Sequence, residues 1–185
     1  MEKRNLTEIN GEAKLKISEP AFAEIVERHQ YSLVRLAARL VGNAEDAKDL
    51  AQWAFARLWL NRDHLDDAHD AFYYLRKILA NLCIDHLRQH GRHEPEVAFD
   101  EEQFSSELAS PLQQLETQEL QTELLRCIDE LKPKQKATLI LRDVEGYAVA
   151  ETAEMLSCTQ NNVLCNLHLA RENVRRKMQQ WFATA

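Results

Sequence analysis

Glycine and proline, the residues that interrupt regular backbone, occupy few positions in this 185-residue chain: Gly11, Gly42, Gly91, Gly146, Pro20, Pro95, Pro111 and Pro133. Each lies at the edge of, or between, long stretches in which apolar residues recur every three or four positions. Proline fits the first turn of a helix, where its missing N–H costs nothing, and glycine fits just past the end, where the backbone turns left-handed. Two-residue alternation is scarce. The strand-like run 137–144 also has helical spacing, at Ala137, Ile140, Leu141 and Val144. The expected fold class is therefore all-α, with two small helical domains joined by an acidic flexible linker.

After a polar N-terminal arm, residues 1–19, a first helix is expected from a cap at Ser18 or Glu19, with Pro20 at its first position, to Val41. Phe22, Ile25, Val26, His29, Leu33, Leu36, Ala37 and Leu40 form its inward side, and Gly42 stops it. A second helix starts near Asn43. Glu45, Asp46 and Asp49 sit in its first turns, where the helix dipole favours negative charge. With Gln52 and Trp53 these acids also form an acidic, aromatic-edged patch suited to a basic partner surface.

A polar loop, residues 61–70, leads into a long helix at 71–90. Phe72, Leu75, Ile78, Leu79 and Leu82 form its apolar stripe, about 120° wide. The opposite side carries Tyr73, Lys77, Asn81, Ile84 and Arg88, with Tyr74 on the border. An aromatic ring, an amide and two cations on one face can stack on bases, bond their edges and neutralise phosphates, although a solvated helix shows the same pattern. His86 and His90, one turn apart, raise the question of zinc, and the four loop aspartates that of another metal. The helix lacks the glutamate of HExxH, and the loop lacks the glycine and terminal glutamate of a calcium site, so no metal and no cofactor is expected.

The expected first domain is thus 20–92 and the linker 93–116. From Glu96 to Glu116 the linker carries six acids and no Lys or Arg, and it holds nearly all of the excess of acids, 30 against 23 basic residues over the chain. A second domain at 117–185 opens with a helix to about Leu131. Pro133 starts the next, ending near Val144. The segment AVAETAEMLSC and a long helix capped by Thr159 complete a helix-turn-helix pattern. In the last helix Val163, Leu164, Leu167, Ala170, Val174, Met178 and Trp181 are expected inside, and Asn162, Cys165, Asn166, Leu169, Asn173 and Arg176 outside.

Cys83, Cys127, Cys158 and Cys165 are far apart and read as free thiols. No apolar run reaches the roughly 18 residues that a membrane span needs, and the charged N-terminus is no signal peptide, so a cytoplasmic protein is expected. The net charge of −7 is wrong for a free-standing DNA binder, which relies on cations to release counterions from the phosphates.

Several motifs resemble the extracytoplasmic-function (ECF) group of the bacterial sigma-70 family. The first half matches at D46-A-K-D-L-A-Q52 with Phe55 and Trp59, at Y74-L-R-K-I78 and at N81-L-C-I-D85-H-L-R88. The second half matches at L131-K-P, L139-x-L141-R-D-V-E-G146, E151-T-A-E-M-L156 and V163…L167-H-x-A-R171. The resemblance implies that Asp46, Asp49, Leu50, Gln52, Phe55 and Trp59 dock on the β′ clamp helices of core RNA polymerase. It implies −10 promoter contacts from Asn61, Tyr73, Tyr74, Lys77, Asn81 and Arg88. It implies −35 duplex contacts from Thr159, Asn161, Asn162, Asn166, His168, Arg171 and Arg175, with the β flap and an anti-sigma protein as further partners. Such a protein is no enzyme, since it opens promoter DNA by selective binding. Lys48 departs from the family's usual acid, and Leu164, Asn166 and Leu169 stand where relatives carry cations. The competing readings are a conventional helix-turn-helix regulator and a sigma-like interaction protein.

Overall fold

The computed structural model describes residues 17–62, 68–90 and 111–184, with the backbone alone for 68–70 and 111–117. The N-terminal arm through residue 16, loop residues 63–67, residues 91–110 (which include most of the expected linker 93–116) and residue 185 lie outside it.

Helix α1 spans Glu19–Val41. The Ser18 hydroxyl accepts the Ala21 N–H at 3.4 Å, Pro20 sits in the first turn, and Gly42 at φ 84° ends the helix by donating its N–H to Ala38 O at 2.8 Å. The left-handed turn at 42 is one that glycine adopts without a Cβ clash. Helix α2, Ala44–Leu60, starts one residue later, where the Asn43 side-chain oxygen accepts the N–H groups of Glu45 and Asp46 at 2.8 and 2.9 Å. Helix α3 is Ala68–His90 and begins inside the expected loop.

Helix α4 is Pro111–Asp129, so residues 111–116, read as linker, are helical. Proline at a first helical position is a start signal as well as a breaker, and here it starts a helix. Helix α5, Pro133–Leu139, runs directly into a π-helical turn, Ile140–Val144, in which the Glu145 N–H reaches back to Ile140 O at 2.9 Å. Gly146, at φ 77°, turns the chain into α6, Val149–Met155, and Ser157, at φ 49°, leads into α7, Gln160–Thr184. The Glu151 carboxylate accepts the Ala148 N–H at 2.6 Å, and Thr159 Oγ1 accepts the Asn162 N–H at 3.2 Å, which caps both helices.

The two halves share one core. Leu33, Leu36, Leu40, Leu50, Leu58, Leu75 and Leu79 of α1–α3 belong to the same buried cluster as Ala137, Ile140, Leu141, Met155 and Leu156 of the second half. A smaller cluster of Leu131, Leu139, Leu167 and Ala170, flanked by Ile128 and Val174, holds α4, α5 and α7 together. Ile84, expected on the open face of α3, is only 3% exposed, because the second half covers that face. Leu164, expected inside α7, is 52% exposed. At 100° per residue it lies a quarter-turn or more from the line of Val163, Leu167, Ala170 and Val174 that packs inward.

Polar contacts seal the same junction. Arg39 of α1 pairs with Glu145. Lys136, almost wholly buried, pairs with Asp129 at 2.7 Å directly against Gly42, where an added side chain would meet both groups. The Arg76 guanidinium lies 3.7 Å over the Phe72 ring and 5.2 Å from the Tyr147 ring of the second half.

Candidate polymerase and nucleic-acid interfaces

The candidate docking residues of α2 divide by their angle around the helix. Asp49 and Gln52 are exposed and stand one turn apart beside Trp53, which is 64% exposed. Asp46, at the edge of this surface, has a carboxylate oxygen 3.2 Å from His86 Nε2. Leu50 is buried in the core. Phe55 and Trp59 turn toward α1, with Phe22 edge-on to Phe55 at 6.5 Å and tilted against Trp59 at 4.9 Å. These rings floor an open groove of about 690 Å³ between α1 and α2. The open acidic-aromatic face is thus Asp49, Gln52 and Trp53. Trp53 is absent from the family motif as matched, although its place in the acidic patch was legible.

On α3 two of the candidate DNA-reading side chains, Tyr73 and Asn81, bond to the second half of the chain. The Tyr73 hydroxyl donates to Glu154 Oε2 at 2.5 Å across the junction to α6. Burial, then the bond to Glu154 and the charges of Glu154 and Glu151, push the Tyr73 hydroxyl well above its ordinary pKa. The Asn81 amide donates to Lys77 O at 2.8 Å and to Met155 O at 2.9 Å. The second of these satisfies a carbonyl at the C-terminal end of α6, which has no further turn to pair with. Lys77 lines a cleft of about 750 Å³ shared with Glu154, Ser157, Thr159 and Asn162. Tyr74 is half-buried against the core. Arg88 is exposed and bound to Asp85 at 2.9 Å, and Asn61 caps α2 by donating its amide to Arg57 O at 2.8 Å. The two histidines stack, ring centres 4.5 Å apart. Among the described residues no group of three or more His, Cys, Asp or Glu is placed to hold a metal.

The N-terminal turns of α7 are open. Asn161, Asn162, Leu164, Cys165, His168 and Leu169 are exposed, while the Asn166 amide bonds back to Asn162 O at 2.8 Å. Arg171 makes a forked pair with Asp143 of the π-helical turn at 2.8 and 2.6 Å, and Arg175 pairs with Glu172. No helix of the described residues is long and apolar enough to cross a membrane.

The chain is similar to known proteins over both halves. Residues 25–93 match Sigma-70 region 2, and residues 121–174 match Sigma-70, region 4. The RNA polymerase sigma-E factor of Streptomyces coelicolor is 31% identical over 158 residues, covering 85% of each chain. The ECF RNA polymerase sigma factor SigE of Mycolicibacterium smegmatis is 30% identical over 158 residues, and the matched region spans 61% of that longer relative. The ECF RNA polymerase sigma-E factor of Escherichia coli is 26% identical over 172 residues, covering 89% of this chain and 90% of its own. Two solved structures share the fold at 18% identity. They are the sigma factor RpoE of Bartonella quintana in complex with the anti-sigma factor NepR (TM-score 0.62, covering 85% of this chain and 96% of that one) and CnrH in complex with the cytosolic domain of CnrY (TM-score 0.61, 88% and 90%). With both conserved regions of the family in order along an all-helical chain, the protein belongs to the sigma-70 family of RNA polymerase sigma factors, in its ECF group.

Proposed function

We propose that the chain docks on core RNA polymerase through the open face of α2 and directs it to promoters that its two halves read separately. Asp49, Gln52 and Trp53, with Asp46 at the margin, meet the β′ clamp helices. Leu50, Phe55 and Trp59 hold that face in shape from behind. Tyr73, Tyr74, Lys77 and Asn81 of α3, with Asn61 and Arg88 at its margins, take up the unpaired −10 strand. The ring offers stacking, the amide offers edge bonding and the cations meet phosphates. The open first turns of α7, with Thr159, Asn161, Asn162, Asn166 and His168, face the −35 major groove. Arg171 and Arg175 lie further along toward the backbone.

The domains divide at residues 20–92 and 117–185, the second extended back to Pro111 by α4, and the acidic segment before that helix follows the polymerase cleft. The β flap and an anti-sigma protein are the further protein partners. The protein acts in the cytoplasm and catalyses no covalent step. Promoter melting follows from preferential binding of the separated strand.

The observation that carries this reading is the exposed Asp49–Gln52–Trp53 face on a helix inside the region 2 match. Transcription in vitro with purified core polymerase and fragmented genomic DNA tests it. Discrete, chain-dependent transcripts are expected. A chain that never co-migrates with core enzyme, or that binds a defined operator tightly without it, refutes the reading.

A further inference from the structure

The groove between α1 and α2 has an apolar floor that no described residue covers. Phe22 and Val26 of α1 and Phe55 and Trp59 of α2 are only half-buried there, and Glu19 and Glu27 add two carboxylates to the lining. Glu24, outside the lining, is paired with Arg28 at 2.6 Å, whereas among the described residues no ion pair engages Glu19 or Glu27.

The chain enters the fold at one end of this groove. Ser18 caps α1, so Ile17 and Phe22 occupy the two positions that pack as a hydrophobic staple and set the angle at which the chain arrives. Ile17 is 6% exposed and already part of the core, while Phe22 lines the groove. The residues before Ile17 therefore arrive on the Phe22 side of α1. Their pattern suits what they meet. Over residues 12–17 apolar and charged side chains alternate, so that in an extended segment Ala13, Leu15 and Ile17 share one face and Glu12, Lys14 and Lys16 the other. Asn10–Gly11, a strong turn pair, bounds the segment. The lengths agree as well. From Glu19 to Gln30 the groove follows α1 for about 16 Å, and the five residues 12–16 span about 17 Å when extended. Lys14 then lies about 10 Å from Ile17, close to the level of Glu27, which is about 7–8 Å along α1 from Phe22.

We propose that residues 12–16 lie extended along the α1–α2 groove as a strap from the chain's own N-terminal arm, with Leu15 and Ala13 on the rings and Lys14 against Glu27. The strap covers Phe55 and Trp59 and leaves the Asp49–Gln52–Trp53 face open, so it completes the packing behind that face. The inference concerns the free chain and is read without polymerase or DNA.

Two measurements on the full chain test it. Zero-length carbodiimide cross-linking with mass spectrometry reads which carboxylate Lys14 faces. A Lys14–Glu27 link is expected at least about 5-fold above Lys14–Glu24, because a segment held in the groove meets only the first of these acids. The second is fluorine NMR of the 5-fluorotryptophan-labelled chain, with Leu15→Asp as the perturbation. Withdrawing a leucine from an apolar site and putting a charge in its place shifts a docking equilibrium by about 10-fold or more. Leu15→Asp is therefore expected to move the Trp59 resonance while those of Trp53 and Trp181 hold, and to lower the yield of the Lys14–Glu27 link about 10-fold. Equal linking of Lys14 to Glu24 and Glu27 in the wild-type chain overturns the strap. A Trp59 resonance that Leu15→Asp leaves in place does so too.

Discussion

Trp53 offers the sharpest test of the docking face. A tryptophan side chain presents up to about 250 Å². At 64% exposure Trp53 therefore leaves roughly 160 Å² for a partner to cover, worth about 4 kcal/mol at ~25 cal/mol per Å² of apolar area. Part of that area is the polar indole edge, and ordering the side chain on binding takes back some of the gain. About 2 kcal/mol remains, so Trp53→Ala is expected to weaken core polymerase binding some 30-fold. The fold has little stake in the residue, because its ring contacts solvent more than protein. The thermal midpoint is therefore expected to move by less than about 2 °C. Competition of the variant against fluorescently labelled wild type for core enzyme gives the affinity ratio, and circular dichroism gives the stability. An affinity within twofold of wild type would refute the assignment. A large loss of stability would place Trp53 in the core and contradict the geometry.

Asp49→Ala on the same face is expected to cost about 5-fold in core affinity at low salt, and less at high salt, because its carboxylate is exposed and screened. Asn81→Ala should leave core affinity within twofold while reducing open-complex formation about tenfold on promoters recovered from genomic fragments; equal loss in both assays contradicts a strand-reading role. Ser157 holds a left-handed φ of 49° in the helix-turn-helix turn, where a Cβ is strained, so Ser157→Gly is expected to raise stability by about 0.5–1 kcal/mol in urea unfolding. His29, stacked on Phe72 at 3.7 Å, has its pKa lowered by burial, then by Arg76 and Arg28. The unfolded chain therefore binds the proton more readily than the folded one. Stability is expected to fall as pH drops below the ordinary histidine value of 6.5, and His29→Gln should flatten that slope in denaturant melts at pH 5–7.

The helices were legible because their ends are written in local chemistry. Ser18, Pro20, Gly42, Asn43, Pro133 and Thr159 each act within four residues of themselves, and the structure uses each as a cap, a start or a stop. What was hidden depends on distant residues. Nothing near Ile84 announces that it will join the core shared with the second half, and the periodicity alone assigns it to solvent. The Tyr73–Glu154 and Asn81–Met155 contacts join residues 81 and 74 positions apart. The site shows the same division. The acidic-aromatic face of α2 is a single-helix property and could be read directly. The occupation of α3 by α6 is a property of packing between the halves, and charge and aromatic content along α3 look the same whether strand, solvent or protein lies against them.

The cations of α7 bear on how much DNA affinity the chain owns. Arg171 is forked onto Asp143, Arg175 is paired with Glu172, and Lys177 with Glu130, whose carboxylate also receives Arg126. Arg176 bonds the neutral amide of Asn173. A phosphate must compete with a carboxylate for the first three, so each gains less counterion-release free energy than an uncommitted cation would. The log–log salt slope scales as about −0.9 per phosphate neutralised. Four contacts at most then give the isolated chain a slope no steeper than about −4 on duplex DNA. Asp143→Asn should steepen it by about one, because it frees Arg171 for a phosphate. A wild-type slope near −6, measured by anisotropy between 50 and 200 mM salt, would mean that these internal pairs break at little cost and that the chain grips DNA unaided. A shallow slope leaves promoter affinity to be supplied by the polymerase, with the open asparagine-bearing turns of α7 contributing choice between sequences more than strength.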